Sequence, residues 1–256
     1  MKEFFILNPF QFLSYEITRQ LLETGHSVHY QNTIEPFEIE KELMIGRNSN
    51  FQQHTKFAKE LLEKENLHII LPVYDLLFRK GQFNCFDYSN TINFCQSKSK
   101  QPLTIIAPFS KYAQVIAEQE KLQKLTCRLQ MIFVPTLYGK YQPENSLFFE
   151  AIKNHSLRDS ELFNTPDFHQ DTLHITEAVS EIIQIMNNNN TGIFLLKNMD
   201  KDRLHHCLFT IIGRTVSLPA MNATFIGELK DVKDTGDYLS IIEELSQDIR
   251  SGQIVR

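Results

Sequence analysis

The densest group of side chains with chemical potential lies in the second half of the chain, where His169, Asp171 and His174 are close neighbours. A carboxylate that orients an imidazole can make it a general base, so this group could form an acid–base cluster or part of a Ser-His-Asp triad. The chain has neither the Gly-x-Ser-x-Gly turn that presents a nucleophilic serine nor a phosphate-binding P-loop. The sequence therefore lacks the motifs that would strengthen a hydrolase or kinase interpretation.

Metal and disulfide chemistry have weaker support. Zinc needs ligands that converge, whereas the adjacent His205 and His206 would point to different faces of a helix. The cysteines show neither CxxC pairing nor metal-like spacing. We expect no metal site and four buried thiols, at Cys85, Cys95, Cys127 and Cys207.

Charge and hydropathy narrow the possible partners. The net charge is −5 and the basic residues are scattered, so no basic field for nucleic acid is present. The apolar N-terminus is interrupted by Glu3, Asn8 and Pro9, which is typical of a buried strand and not of a signal peptide. The next apolar run, residues 67–78, falls short of the roughly 20 residues that span a bilayer. We expect a cytoplasmic protein without nucleic-acid or membrane partners.

The elements that must position any site alternate between strands and helices. A chain of 256 residues with 42% hydrophobic content can bury the core of one α/β domain or of a domain with a small cap. Near-continuous apolar strands separated by helices are what a parallel sheet covered on both faces requires. The predicted strands are 4–7, 27–30, 67–73, 103–107, 129–134 and 192–196, and the predicted helices lie near 17–22 and over 51–64, 88–99, 112–125, 147–153, 176–186 and 237–249.

Four segments, taken in order, resemble elements of the extended short-chain dehydrogenase/reductases, the NAD-dependent epimerase/dehydratase proteins. They are YEITRQLLETGHSVH (15–29), YSNTINF (88–94), VPTLYGK (134–140) and DTLHITEAV (171–179), which resemble the first helix with the second strand, the helix after strand four, the VYGP element and the DFIHVDD element. The resemblance implies a Rossmann-like doubly wound parallel sheet with a small C-terminal cap. It also assigns Asp171 and His174 to packing.

The resemblance also implies how the chain is divided. Residues 1–135 with about 168–190 would form the Rossmann-like core, and about 136–167 with 191–256 a substrate-cap-like region. Ligands of open α/β sheets bind beyond the carboxyl ends of the strands. The side chains expected near such a cleft, where the family turns from its sheet into its cap, are Tyr138, Lys140 and Asn145. The family typically forms homodimers through helices corresponding here to 86–98 and 112–125, so we expect a homodimer.

The family's dinucleotide-binding turn is altered. Its GxxGxxG pattern lets the backbone approach a diphosphate at the helix N-terminus, but the three positions here are Asn8, Gln11 and Ser14. Phe10 and Phe12 add bulk between them, and aromatic side chains bury large apolar areas. We expect these rings to fill the crevice and NAD or NADP not to bind. The alternative is an altered cleft, lined by the same two rings, for a ligand that is not a dinucleotide.

The family's catalytic pair is altered as well. It places a lysine four residues after a tyrosine, where the cation lowers the pKa of the phenol. Tyr112 matches the tyrosine, but the lysine position holds Ile116. Ser110 could stand for the family's serine, although it precedes Tyr112 by two residues and not by a longer loop. Tyr112 and Ser110 are the candidate catalytic residues, and an ordinary interface or core role for Tyr112 is the alternative.

Together the two changes predict a degenerate member of the family that does not carry out NAD(P)-dependent redox chemistry. It would act as a pseudoenzyme or as a binding or assembly protein. The alternative is a repurposed biosynthetic enzyme that acts on a nucleotide-sugar or a small metabolite without the usual dinucleotide chemistry. A crevice filled by Phe10 and Phe12 would favour the first hypothesis, and an open one with convergent polar groups the second.

Overall fold

The computed structural model describes residues 1–31, 39–54, 66–78, 101–122, 128–154, 156, 158–188, 190–219, 224–233 and 236–252. The strands are β1 (Glu3–Leu7), β2 (Ser27–Gln31), β3 (Phe51–Gln53), β4 (Leu67–Pro72), β5 (Leu103–Pro108), β6 (Leu129–Val134), β7 (Thr136–Tyr138), β8 (Thr172–His174), β9 (Gly192–Asn198) and β10 (Glu228–Val232). The helices are α1 (Phe12–Glu23), α2 (Ile39–Ile45), α3 (Tyr112–Leu122), α4 (Leu147–Lys153), α5 (Asp159–Leu162), α6 (Ile175–Asn187), α7 (Arg203–Ile212) and α8 (Tyr238–Ser251). Short 3-10 turns follow β4, at Val73–Phe78, and β5, at Phe109–Lys111.

The main sheet confirms the predicted Rossmann-like fold. Its described strands follow the order β10-β9-β6-β5-β4-β1-β2-β3, and each described pair is parallel. The strand order reverses at β1, which pairs with β2 on one side and with β4 on the other. That reversal is the topological switch point where open α/β sheets bind their ligands.

Strand β1 shows why the central strands are mostly apolar on both faces. Phe4 and Ile6 belong to the core that α1 and α6 cover, whereas Phe5 and Leu7 belong to the core on the opposite face, to which α3 contributes Val115. Successive side chains of a strand point to opposite faces, so a sheet covered on both sides needs apolar residues at every position. These four residues of β1 are at most 5% exposed.

The C-terminal part of the chain differs from the expected division. Helices α4, α7 and α8 form a third apolar cluster, as a cap would. However, β9 and β10 extend the main sheet beside β6, although residues 191–256 were expected to belong to the cap. Strand β9 joins the sheet because Phe194 and Leu196 bury their side chains in the core under α6.

The structure tests the helices predicted over 51–64 and 88–99 only in part. Residues 51–53 form a strand and not the start of a helix, because Phe51 pairs in register with Val28 of β2. Residues 55–65 and the helix expected over 88–99 lie outside the described residues. On α3, the other helix of the expected dimer interface, Ala113 is exposed while Val115 is buried, and the homodimer stays a prediction. Within the described ranges, no helix is long and apolar enough to cross a membrane.

Candidate functional site

The turn after β1 keeps an unusual backbone conformation without glycine. Asn8 has a φ of 54°, in the left-handed region, and its N–H donates to the Gln31 carbonyl at 2.9 Å. Asparagine is one of the few residues with a side chain that visits this region readily. The chain therefore makes the tight turn into α1 at the first altered glycine position with Asn8.

The N-terminus of α1 is capped by a carboxylate from a distant part of the chain. The N–H groups of Leu13 and Ser14 donate to the two oxygens of Asp75 at 2.9 and 3.0 Å, and the Ser14 hydroxyl donates to the same carboxylate. Gln11 sits at the N-cap position, where its side chain makes no capping bond. Asp75 lies in the turn directly after β4 and thus satisfies donors that begin every helix unpaired. Sequence reasoning missed this residue, and its only signal was a carboxylate inside an apolar run.

Burial and the neighbouring donors and cation have opposite effects on the pKa of Asp75. The pKa of its carboxyl group is raised, because the effect of burial exceeds the lowering by the donors of Ser14 and Leu13 and by the positive charge of Lys41. Lys41 is itself fully buried, and its Nζ donates to the Phe10 carbonyl at 2.9 Å. A buried carboxylate keeps its charge where donors and a cation replace water. This end of the sheet is therefore built around an internal carboxyl group that accepts hydrogen bonds from α1.

The two added phenylalanines take different positions. Phe10 is buried and meets Tyr30 and Phe51 edge-on, at 5.8 and 6.0 Å between ring centroids, beside the stack that those two rings form with each other. Phe12 is also buried, but it lines a groove of about 220 Å³ along the outside of α1 together with Tyr15. Only Phe10 thus packs among the residues that end β2 and begin β3.

The candidate catalytic hydroxyls are both engaged with backbone. The Tyr112 hydroxyl accepts from the Ile226 N–H at 3.1 Å and lies 3.3 Å from the Ile226 carbonyl, to which it donates. Its ring packs 4.8 Å from Phe133 between centroids. Ser110 Oγ donates to the Pro166 carbonyl at 3.1 Å, and Ile116 is half-buried against the same apolar core. The two hydroxyls thus face different segments of the chain.

The three cleft candidates do not converge on one point. Tyr138 is fully buried, and its hydroxyl accepts from Nε and Nη2 of Arg203 at 3.2 and 2.7 Å. Lys140 is exposed, with its Nζ 3.8 Å from a carboxylate oxygen of Glu40. The Asn145 side chain donates to the Phe78 carbonyl at 3.4 Å. Tyr138 therefore joins the core to the cap helix α7.

A second group of buried polar side chains lies where the β7–α4 loop enters α4. Asp167 accepts from the Leu147 N–H through Oδ2 at 2.6 Å, and burial raises its pKa to about 7. Among the described residues, no partner donates to its other oxygen, and the Ser146 hydroxyl and the Gln142 amide also lack hydrogen bonds. Burial raises the pKa of Tyr74, and the charge of the nearby Asp167 raises it further. Sequence reasoning missed this polar group, because its members are far apart in the chain.

The histidines and carboxylate of the first sequence motif serve separate contacts. Nε2 of His169 pairs with the Thr165 hydroxyl at 3.0 Å, and the His174 ring packs against Tyr138. Asp171 accepts from the backbone N–H groups of Thr172 and Asn198 at 2.8 and 2.9 Å, which ties β8 to β9. In the part of the chain that the structure describes, no group of three or more His, Cys, Asp or Glu side chains could hold a metal ion.

Known proteins resemble the chain in structure and not in sequence. No protein-family model and no curated protein sequence matches it. UDP-glucuronic acid 4-epimerase from Bacillus cereus, in complex with UDP-glucuronic acid and NAD, superposes with a TM-score of 0.65 at 13% identity, covering 97% of this chain and 99% of the epimerase. The dTDP-glucose 4,6-dehydratase from Bacillus anthracis, in complex with NAD, gives 0.64 at 10% identity, covering 99% and 98%. The UDP-Glc/GlcNAc 4-epimerase of Campylobacter jejuni gives 0.61 at 10% identity, covering 98% and 99%.

These likenesses correct the expectation about the cofactor. The Bacillus cereus epimerase and the Bacillus anthracis dehydratase hold NAD on this fold, which contradicts the prediction that the chain takes neither NAD nor NADP. The physical reason is that the strand order and the helix at the switch point, not the glycines alone, create a dinucleotide-binding crevice. In this structure the N–H groups at the start of α1 bond Asp75, an arrangement that does not fit a diphosphate. We therefore derive no reaction step through the dinucleotide.

Proposed function

Starting from a chain with the fold of the NAD-dependent epimerases and dehydratases, we propose a pseudoenzyme that acts as a binding or assembly protein. It has lost the hydride chemistry that a tyrosine–lysine pair supports in the family it resembles. The observation that carries this proposal is the Tyr112 hydroxyl, whose proton and lone pair are both engaged by the backbone of Ile226. The loss concerns the reaction, whether or not a dinucleotide is held.

The surroundings of Tyr112 support the loss of chemistry. A general acid or base must reach the proton that it transfers, and this hydroxyl would first have to break both bonds to Ile226. One turn along α3, at the position of the family's lysine, Ile116 packs against the apolar core. An aliphatic side chain there supplies no positive charge to stabilise a phenolate.

A second candidate function rests on the polar group at the start of α4. Asp167, with a pKa of about 7, could exchange a proton near neutral pH, and the Ser146 hydroxyl and Gln142 amide retain hydrogen-bonding capacity among the described residues. These features favour an enzyme that acts on a nucleotide-sugar or a small metabolite without the Tyr112 chemistry. Asp167 would be its acid–base group.

One experiment tests both candidates. The purified full chain is incubated with NAD and a panel of UDP- and dTDP-hexoses, and NADH absorbance and sugar products are followed. The pseudoenzyme predicts no conversion by the unmodified protein. Conversion that Tyr112→Phe abolishes would overturn it in favour of the family's chemistry. Conversion that survives Tyr112→Phe but is lost in Asp167→Asn would overturn it in favour of the second candidate.

A further inference from the structure

The start of α1 lies where the fold concentrates its affinity for anions. Strand β1 leads directly into α1 at the switch point of the sheet, and Asp75 follows the neighbouring strand β4. Backbone N–H groups and the helix dipole at such a position favour a negative charge, as the phosphate sites of Rossmann folds illustrate. In this chain the negative charge already present there belongs to Asp75.

The contacts of Asp75 reproduce those that a phosphate would use. Its two oxygens accept from consecutive N–H groups of α1, at Leu13 and Ser14, and the Ser14 hydroxyl adds a third donor. The side chain is nine-tenths buried or more, since Asp75 is only 6% exposed. We infer that Asp75 is an internal ligand for the N-terminus of α1, and that a diphosphate binds there only by displacing it.

Displacement has a definite electrostatic cost. Once its donors are taken, the Asp75 carboxylate must find water or a proton, because a buried anion without partners is strongly disfavoured. A diphosphate would also bring further negative charge next to it. Lys41 is the cation whose charge acts on Asp75, and its Nζ is bonded to the Phe10 carbonyl. Asp75 therefore sets the affinity of this crevice for dinucleotides.

The test is a calorimetric titration of NAD and, separately, of inorganic pyrophosphate into the full chain and its Asp75→Asn variant. The amide removes the competing charge with little change in volume, so the dissociation constant for both ligands should fall about tenfold or more. Asp171→Asn is the matched control, because it makes the same chemical change at a carboxylate that also accepts from two backbone N–H groups, those of Thr172 and Asn198. That control should leave both dissociation constants unchanged.

A second variant guards against a folding defect in Asp75→Asn. Ser14→Ala leaves the Asp75 charge in place but removes one of its three donors, so the carboxylate is easier to displace and NAD affinity should rise by a smaller factor. Equal NAD affinity in the unmodified protein and in both variants, no binding by any of them, or the same gain in Asp171→Asn would overturn the inference. The inference rests on the fold likeness and not on the proposed loss of chemistry. Its failure would appear in binding, whereas failure of the proposed function would appear as sugar conversion.

Discussion

The first turns of helices α1 and α4 both donate backbone hydrogen bonds to an aspartate from another part of the chain. The two carboxylates nevertheless have different surroundings. Asp75 accepts hydrogen bonds on both oxygens and lies within the influence of Lys41. Asp167 accepts one bond, from the Leu147 N–H, and its other oxygen has no hydrogen-bond partner among the described residues. Both are about equally buried, at 6% and 5% exposure.

The difference teaches that donors, and not burial alone, decide whether a carboxylate in a protein interior is built to be an anion. With a single donor, burial raises the pKa of Asp167 to about 7, so near neutral pH this group is partly protonated. Burial also raises the pKa of Asp75, but its donors and the positive charge of Lys41 lower it in part. One helix start therefore surrounds its carboxyl group with several donors and a nearby cation, and the other leaves its carboxyl group with a single donor and a pKa of about 7.

The largest expected effect on stability comes from a third buried carboxylate, which forms an ion pair with an arginine. Glu177 of α6 lies 3.2 Å from Nη1 of Arg203, and both side chains are at most 4% exposed. Glu177→Ala should lower the free energy of unfolding by about 3–5 kcal/mol, because it breaks a buried ion pair by removing one partner. Urea denaturation measures the loss. Glu181→Ala, on the less buried side of the same helix, should lower the free energy of unfolding by under about 1 kcal/mol. Similar losses for the two variants would show that the ion pair with Arg203 does not stabilise the fold.

The next effect tests the two helix starts directly. Asp75→Ala leaves two N–H groups and a hydroxyl without their acceptor, so the free energy of unfolding should fall by about 3 kcal/mol. Asp167→Ala removes a single bond and relieves a poorly compensated burial, so its loss should be about 1 kcal/mol. Denaturant unfolding of both variants at neutral pH makes the measurement. An equal or reversed order would show that donor number does not govern these sites.

The pH dependence of Asp167→Asn sharpens the comparison further. The pKa of Asp167 is raised from 3.8 to about 7, so between about pH 4 and pH 7 the folded protein keeps a proton that the unfolded chain releases. Stability of the unmodified protein should therefore fall as pH rises through that window, by up to about 1.4 kcal/mol per pH unit for this group, and level off above it. The variant lacks this contribution. Its free energy of unfolding, relative to that of the unmodified protein, should therefore rise by about 2 kcal/mol between pH 5 and pH 8.

The measurement is the difference between the two unfolding free energies at each pH. Burial lowers the pKa of His169 to about 4, so this group makes stability rise with pH between that value and its ordinary pKa. His169 is present in both proteins, so its contribution cancels in the difference. Parallel stability curves for the two proteins would contradict the account of Asp167.

The smallest expected effect comes from the two serines beside these carboxylates. Ser14 donates its hydroxyl to Asp75, whereas the Ser146 hydroxyl has no hydrogen bond among the described residues. Ser14→Ala should lower the free energy of unfolding by about 1 kcal/mol, and Ser146→Ala should be neutral or slightly stabilising. Thermal unfolding of both variants is sufficient, and a larger loss at Ser146 would break the contrast.

Much of the fold could be predicted from local patterns in the sequence. Strand runs such as Leu103–Pro108 are apolar at every position except Thr104 because both faces of the sheet are covered, and this property is visible without a structure. The altered positions Asn8, Gln11 and Ser14 were also recognisable from their place after the first strand. The helix expected from residue 51 failed because pairing with β2 determined the conformation of residues 51–53.

By itself, the sequence determined the alternation of strands and helices, the parallel sheet and the absence of glycine at the turn into α1, since each depends on residues close together in the chain. Only the tertiary structure decided that the N-terminus of α1 is bonded to Asp75, some 61 positions away from Ser14, and that the Tyr112 hydroxyl is bonded at Ile226. The physical reason is that a carboxylate acts where folding brings it, and its charge depends on donors that no local pattern reveals.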